Sequence, residues 1–306
     1  MDAGWDTHLH VFDEAVPVRP GHYQPAHRPL ELIETEARER LGVGHLVLVQ
    51  PSVYGQDHAV LLKALERGQG RHRAVVVPGE WLSSQTPKDL RALHDLGVRG
   101  VRLNCVSPQG EGSDLAAIGQ RMQVLLPLLQ SMGWHLQWYT RPEYLAQIAQ
   151  WHRGSGVVAV LDHLGGLTPA HRPQASEVHS DSHGGADGGA QGDPHGAAHG
   201  DARLDVDAGA RQLWQCLQDL AGQGAWIKLS GWYRLQSVAP HDDLIPVVQR
   251  LATVFGDHLL WGSDWPHTLF SPKEQPDLLS TWRPLERALG ATAAQEILRG
   301  AARLYR

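Results

Sequence analysis

The feature of this sequence that most limits its possible folds is a short apolar run that recurs along the chain, each time followed by a polar turn and a helix-like stretch. The runs are continuously apolar rather than alternating, which is typical of strands buried on both faces of a parallel sheet. Eight of them occur in order, at residues 5–11, 45–50, 74–78, 100–103, 134–139, 157–161, 226–229 and 259–261. This alternation predicts an α/β fold, a single-domain TIM (β/α)8 barrel over residues 1–306, with an open α/β sheet as the alternative.

The stretches between the runs carry signals for helix ends. Thr86 offers an N-cap, Pro87 suits the first helical position, Asp89 adds an acidic residue, and Gly97 then stops the helix. Pro127 lies inside an apolar helical pattern, where a missing N–H group is expected to kink or split the helix.

One segment interrupts the alternation after the sixth run. Residues 169–209 are rich in Gly, Ala, Asp and His and contain too few apolar side chains to offset the entropy of ordering. We therefore expect a flexible, low-complexity insertion within the barrel domain. A metal-scavenging surface is the alternative to an inert loop, because the segment contains His179, His183, His195 and His199.

Charge and hydropathy exclude several classes of protein. The chain has 27 basic and 33 acidic residues, so it lacks the basic surface that nucleic acids and anionic membranes require. No apolar run reaches the roughly 18 residues of a membrane span, and the N-terminus lacks the pattern of a secretory signal. The cysteines Cys105 and Cys216 form no CxxC motif. We expect a cytoplasmic protein that acts on a small molecule, not on nucleic acid or a membrane; the sequence does not indicate its oligomeric state.

Polar side chains follow three of the predicted strands, at the ends where a parallel barrel carries its functional groups. His8 and His10 are two residues apart on the first predicted strand, so their side chains point to the same side. His163 follows the sixth strand and Asp264 follows the eighth. These groups form a candidate site for one divalent metal such as zinc. Without a metal, Asp264 would be a general base for water, and the imidazoles would donate hydrogen bonds to a substrate carbonyl.

Two arginines lie near the ends of other predicted strands. Arg102 lies in the fourth strand and Arg234 follows the seventh. Each of them either pairs with an acidic substrate or forms a structural ion pair. Lys228, inside the seventh strand, either points into the site or pairs with a barrel carboxylate. Further candidate substrate contacts are Gln50, Tyr54, Tyr139 and His267.

Seven motifs spread over nearly the whole chain carry a family resemblance: DTHLHVF at 6–12, LVQPSVYGQD at 48–57, GVRGVRLN at 97–104, LDHLGG at 161–166, IKLSGWYR at 227–234, LLWGSDWPH at 259–267 and AARLYR at 301–306. They resemble the amidohydrolase-related family that includes 2-pyrone-4,6-dicarboxylate lactonase and the sulfomuconolactone and sugar-lactone hydrolases. The resemblance implies a distorted (β/α)8 barrel and attack of water on an ester or lactone carbonyl. For single residues, it implies carbonyl-polarising roles for His8, His10 and His163, a water-activating base at Asp264, and contacts to anionic groups at Arg102 and Arg234.

The end of the fifth predicted strand bears on whether the site binds a metal. Metal-dependent relatives add a metal-ligating histidine at the end of the fifth strand, where this sequence has Tyr139 and Thr140. We therefore expect no obligatory cofactor; one zinc or another divalent metal, bound by His8, His10, His163 and Asp264, is the alternative. The leading interpretation is a hydrolase of a carboxylated or sugar-derived lactone. Other candidates are a mononuclear zinc-dependent amidohydrolase or decarboxylase on the same barrel, a metal-dependent nuclease, and a non-catalytic metal-binding protein.

Overall fold

Eight parallel strands form the centre of the fold, and each strand pairs with its neighbour in sequence. The computed structural model describes residues 3–107, 110–173, 200–268, 270 and 273–306, with only the backbone of residues 200–207. The strands are β1 (Gly4–Leu9), β2 (Val43–Val49), β3 (Arg73–Val76), β4 (Val98–Asn104), β5 (His135–Tyr139), β6 (Ala159–Leu161), β7 (Trp226–Leu229) and β8 (Leu259–Trp261). Each overlaps one of the apolar runs, so the predicted TIM barrel is confirmed.

Helices connect the strands and form the outer layer of the barrel. They are α1 (Leu30–Leu41), α2 (Ala59–Gly68), α3 (Glu80–Ser83), α4 (Pro87–Leu96), α5 (Leu115–Met132), α6 (Leu145–His152), α7 (Gly200–Gly222), α8 (Ile245–Phe255), α9 (Leu278–Leu289), α10 (Ala291–Gly300) and α11 (Ala302–Tyr305). Within the described ranges, none of these helices combines the length and the apolar character that crossing a bilayer requires.

Two predictions about helix ends have different outcomes. Thr86 caps α4 through reciprocal hydrogen bonds with Asp89, and Gly97 follows its last turn, as predicted. Pro127 is expected to kink or split α5; the split is wrong, because the helix continues through the proline as one element, and the kink stays a prediction. Apolar side chains of α5 are buried on both sides of Pro127, which compensates for the lost backbone hydrogen bond. They include Met122, Leu125 and Leu129.

The segment between β6 and β7 is described only at its two ends. The predicted insertion at 169–209 lies mostly outside the described residues, and so do its four histidines. Pro169–His171 forms one turn of 3-10 helix, and α7 begins at Gly200. The backbone of residues 200–209 is therefore helical, and the predicted flexible loop does not extend to residue 209. This part of α7 continues a helix whose later side chains Trp214, Leu217 and Leu220 are buried in the core.

The barrel closes where β1 meets the segment after β8. The backbone N–H of Asp264 donates to the carbonyl of His8 at 2.8 Å. The buried carboxylate of Asp6 accepts hydrogen bonds from the backbone N–H groups of His8 (3.2 Å) and Ser263 (3.0 Å). A side chain thus takes part in the ladder at this seam, which brings the carboxyl ends of β1 and β8 together.

Candidate active site

Side chains from three strand ends converge at the carboxyl end of the barrel. One metal-ligand-type atom from each of His8, His163 and Asp264 lies within 4.8 Å of the others, and all three residues are buried. His10 approaches the same point, because its Nε2 atom is 3.7 Å from Asp264 Oδ1. The structure therefore brings the four predicted residues together, and we call this group the four-residue centre.

The backbone around this centre is shaped to aim the side chains inward. His163 and Asp264 have positive φ angles of 49° and 58°, which residues other than glycine rarely adopt. Two glycines leave room for the imidazoles. A Cβ atom on Gly231 would overlap the ring of His163, and one on Gly262 would lie 2.6 Å from His8 Cβ. Larger side chains at these two positions would displace the ring of His163 and the main chain of His8.

Two of the imidazoles are held from behind by side-chain partners. His8 Nδ1 lies 3.1 Å from Asp162 Oδ1, and His163 Nδ1 lies 2.9 Å from Ser230 Oγ. Partners of this kind fix the orientation of an imidazole ring, so that its second nitrogen is available to a metal or a substrate.

The third imidazole is held by the backbone. His10 Nδ1 lies 2.8 Å from the carbonyl oxygen of Val49, which only accepts hydrogen bonds. Neutral His10 therefore carries its proton on Nδ1 and a lone pair on Nε2. Like His10 Nε2, His8 Nε2 lies 3.7 Å from Asp264 Oδ1. Among the described residues, neither His8 Nε2 nor Asp264 Oδ1 has a hydrogen-bond partner, a costly state for buried polar atoms unless a ligand completes it.

The second oxygen of Asp264 is firmly held. Asp264 Oδ2 accepts hydrogen bonds from Tyr233 Oη (2.7 Å) and Arg234 Nε (2.6 Å). Burial alone would raise the pKa of Asp264, but the positive charge of Arg234 beside it holds that pKa well below its usual range. Asp264 is therefore ionised at neutral pH and cannot rotate freely.

The imidazoles of the centre are neutral at pH 7. Burial lowers the pKa of His10 and that of His163 to about 4 each, and the nearby charge of Asp264 offsets this only in part. Burial also lowers the pKa of His8 well below its ordinary value. The rings therefore face one another and Asp264 as uncharged groups.

Beneath the centre, a buried polar network links β4, β5 and β7 to the end of β6. Asp162 Oδ2 accepts hydrogen bonds from Arg102 Nε (2.8 Å) and Gln137 Nε2 (3.0 Å). Lys228 Nζ donates to Gln137 Oε1 at 2.7 Å and lies 3.4 Å from Asp162 Oδ1. Lys228 therefore pairs with a barrel carboxylate, which decides between the two alternatives that the sequence left open.

Asp162 is the residue of this region that sequence reasoning missed. Burial alone would raise its pKa, but contact with His8, Lys228 and Arg102 holds the pKa of Asp162 well below its usual range. The available signal was a carboxylate directly before His163, at the same strand end. Without knowledge of its partners across the barrel, that carboxylate could not be told from an ordinary loop aspartate.

A cavity of about 250 Å³ opens onto the centre. His10 and His163 line it, together with the predicted substrate contacts Arg102, Arg234 and Tyr139. The guanidinium carbon of Arg102 lies 4.9 Å from the ring centroid of Tyr139, in cation–π contact. Further polar lining comes from His22, Tyr23, Ser52, Asn104 and Thr268.

Three other predicted contacts lie outside this lining. The side-chain amide of Gln50 donates to two carbonyl groups of the following loop, at 2.9 and 2.8 Å. The hydroxyl of Tyr54 donates to the carbonyl of Asp13 at 3.0 Å, and His267 Nε2 lies 3.1 Å from the carbonyl of Ser263. These side chains organise the loops around the cavity, and their contact with a substrate stays a prediction.

The four-residue centre has the donor set of a divalent-metal site. Nitrogen atoms of His8, His10 and His163 and an oxygen atom of Asp264 match the ligand preferences of zinc. The orphaned atoms Asp264 Oδ1 and His8 Nε2 lie where such an ion would satisfy them. The residues present therefore fit a divalent cation.

Comparison with known proteins identifies the family. The family model described as amidohydrolase matches residues 5–306. The chain belongs to the amidohydrolase family. A 4-sulfomuconolactone hydrolase from Rhizobium radiobacter is 31% identical over 282 residues, which cover 89% of this chain and 79% of the relative. A 2-pyrone-4,6-dicarboxylate hydrolase from Comamonas testosteroni is 25% identical over 285 residues, which cover 86% of this chain and 76% of the relative.

Solved structures agree with this assignment. A structure from Pseudomonas putida, provisionally named as a 2-pyrone-4,6-dicarboxylic acid hydrolase, superposes with a TM-score of 0.74 at 26% identity. The superposition covers 99% of this chain and 97% of that one. This amidohydrolase is therefore a hydrolase on a TIM barrel, and the predictions of family, fold and enzyme class are confirmed.

Proposed function

We propose that this amidohydrolase opens a small lactone that carries carboxylate groups, with Asp264 as the base that activates the attacking water. The observation that carries the proposal is Asp264 Oδ1, an ionised and buried oxygen without a hydrogen-bond partner among the described residues, beside three imidazoles. The names of the two relatives described above support the substrate class, because they refer to lactones with anionic substituents.

In lactone hydrolysis, water must lose a proton as its oxygen attacks the ester carbonyl. Asp264 Oδ1 is free to accept that proton while Oδ2 stays bonded to Tyr233 and Arg234. The proton then passes to the leaving ring oxygen, and the product is an open-chain hydroxy acid. Because its low pKa makes Asp264 a weak base, the charge that develops on the carbonyl oxygen must be stabilised at the same time.

The lone-pair geometry of the centre favours a cation there. Neutral His10 offers a lone pair from Nε2, not a proton, so it cannot donate a hydrogen bond to a carbonyl oxygen. We therefore favour the divalent-metal alternative over the metal-free centre. Such a metal would be held by the nitrogen atoms of His8, His10 and His163, with Asp264 Oδ1 beside it as the base, and it would polarise the carbonyl.

Two guanidinium groups on the cavity wall support an anionic substrate. Arg102 uses Nε for Asp162, and its two terminal nitrogens form no hydrogen bond with the described residues. Arg234 donates from Nη2 to Thr268 Oγ1 at 3.0 Å, in addition to its bond with Asp264. A carboxylate of the substrate is the natural partner for the remaining N–H groups. The volume of about 250 Å³ suits a molecule below drug size.

Lactone hydrolysis can be tested with 2-pyrone-4,6-dicarboxylate and the unsubstituted 2-pyrone as paired substrates. We expect turnover of the dicarboxylate, and a fall in kcat of roughly 100- to 10,000-fold in Asp264→Asn, the range for a lost general base. Asp257→Asn is the matched control, since Asp257 is exposed and pairs with Arg303 before β8, at the other end of the barrel. Near-normal turnover by Asp264→Asn would remove Asp264 as the base, and no turnover of any lactone by the wild type would remove the function.

The metal is tested separately by elemental analysis before and after chelation. We expect stoichiometric zinc or another divalent metal in the purified protein, loss of activity after chelation, and recovery when the metal is restored. Full activity of protein shown to be metal-free would contradict the preference for a metal and leave the lactone assignment intact.

A further inference from the structure

Behind the four-residue centre lies an ion pair that the proposed hydrolytic step does not use. Lys228 and Asp162 are both fully buried, at 0% exposure, and neither is among the residues that line the cavity. A buried ion pair loses much of its attraction to desolvation, so it is weak evidence for stability. Lysine in particular is rarely buried completely. The location of this pair, against the rear of His8, points to a role in positioning.

The contacts of His8 distinguish its two neutral tautomers. His8 Nδ1 lies 3.1 Å from Asp162 Oδ1 and 3.4 Å from Lys228 Nζ. If Nδ1 carried a lone pair, it would face an ionised oxygen, and two acceptors would repel each other at 3.1 Å. If Nδ1 carries the proton, it donates to Asp162 through the shorter of the two contacts. The geometry therefore favours the Nδ1–H form.

We propose that Asp162 and Lys228 are positioning residues that hold His8 as its Nδ1–H tautomer, with the Nε2 lone pair turned to Asp264. Asp162 supplies the acceptor. Lys228 and Arg102 hold this acceptor in place, because Lys228 Nζ lies 3.4 Å from Asp162 Oδ1 and Arg102 Nε donates to Asp162 Oδ2 at 2.8 Å. Lys228 also fixes the amide of Gln137, because its bond to Gln137 Oε1 leaves Nε2 of that amide to donate to Asp162.

The tautomer of His8 can be measured in the wild-type protein. Protein labelled with 15N at histidine gives a spectrum in which the two ring nitrogens of each tautomer are distinguishable, and His8 is assigned by the signals missing from His8→Gln. We expect the proton on Nδ1. A proton on Nε2 would overturn the proposal. The positioning role rests on the proposed function, but this readout needs no turnover, so its failure is distinct from a failure of the lactone assignment.

Variants test whether Lys228 acts through Asp162. In Lys228→Met, we expect kcat for the lactone to fall on the order of 10- to 100-fold, as for other groups that orient a site imidazole. KM should change little, because Lys228 does not line the cavity. The double variant with Asp162→Asn should lose no more than Asp162→Asn alone, since both changes interrupt one chain of contacts.

A structural role would give a different pattern. The matched control is Arg73→Met, which removes a half-buried cation that donates to the carbonyl of Tyr305, at the amino end of β3. We expect it to lower the melting temperature and leave kcat unchanged. The proposal is overturned if Lys228→Met folds with normal kcat, or if its loss adds in full to that of Asp162→Asn. If Lys228→Met does not fold, the tautomer of His8 measured in the wild-type protein still tests the proposal.

Discussion

Arg102 has two partners, and they belong to different parts of the site. Its Nε donates to the buried Asp162, while the guanidinium lines the cavity and lies over Tyr139. In Arg102→Met, we expect KM for the dicarboxylated lactone to rise about 10- to 100-fold, because a hydrogen bond to a charged group contributes about 1.5–3 kcal/mol. Steady-state kinetics with the dicarboxylate and the unsubstituted 2-pyrone measure this.

The paired substrates separate the two partners of Arg102. A lost contact with the substrate carboxylate raises KM for the dicarboxylate alone, whereas a disturbed Asp162 lowers kcat for both substrates. An equal KM of wild type and Arg102→Met for the dicarboxylate would rule out the contact with the substrate and leave only the ion pair with Asp162.

Sequence reasoning reached those site residues whose position follows from the strands. His8, His10, His163 and Asp264 lie at or just after strand ends, so the barrel alone brings them together. Gln50 is different, because loop geometry decides which way its side chain points, and it turns to the backbone of its own loop. The partners of Asp162 come from four other strands and cannot be read from spacing along the chain.

At the scale of elements, the cap of α4 is a local feature whose effect on stability can be predicted. Thr86 Oγ1 accepts a hydrogen bond from the backbone N–H of Asp89, and Asp89 Oδ2 accepts from the backbone N–H of Thr86. We expect Thr86→Ala to lower the free energy of unfolding by about 1 kcal/mol. Urea denaturation measures this, with Lys88→Ala, an exposed position of the same helix, as control. A fall in kcat with either variant would contradict the purely local role of this cap.

The strands were more predictable than the limits of the helices, for a physical reason. A strand buried on both faces needs a continuous apolar run, and each of the eight runs became a strand. Packing of neighbouring turns decided the helices instead. Packing stabilises α5 across Pro127, so the helix is continuous there. Helix α7 begins at Gly200, although the composition there favours a loop.

At the scale of the whole molecule, many neutral imidazoles in the interior make stability depend on pH. Burial lowers the pKa of six histidines to about 4 or, for His135, to about 3: His10, His58, His135, His152, His163 and His267. Histidine in an unfolded chain has a pKa of about 6.5, so the unfolded state binds protons between these values and the folded state does not. Asp6 and Glu111 act in the opposite direction, because burial raises the pKa of both carboxyl groups, that of Asp6 to about 6, but they are fewer than the histidines.

We therefore expect the free energy of unfolding to fall as pH decreases from about 6.5 to about 4, and His152 isolates one contribution to this fall. His152 Nε2 accepts from Trp138 Nε1 at 2.8 Å and its Nδ1 lies 3.0 Å from the carbonyl of Val157, so both ring nitrogens are engaged only in the neutral form. In His152→Gln, the free energy of unfolding should fall by on the order of 3 kcal/mol less over this pH window. Glutamine does not titrate, so the variant lacks the histidine that is protonated only in the unfolded state between pH 6.5 and about 4. Urea denaturation at a series of pH values gives the dependence of the free energy of unfolding on pH for wild type and variant. Equal dependence in the two proteins would show that His152 is not held neutral by the fold.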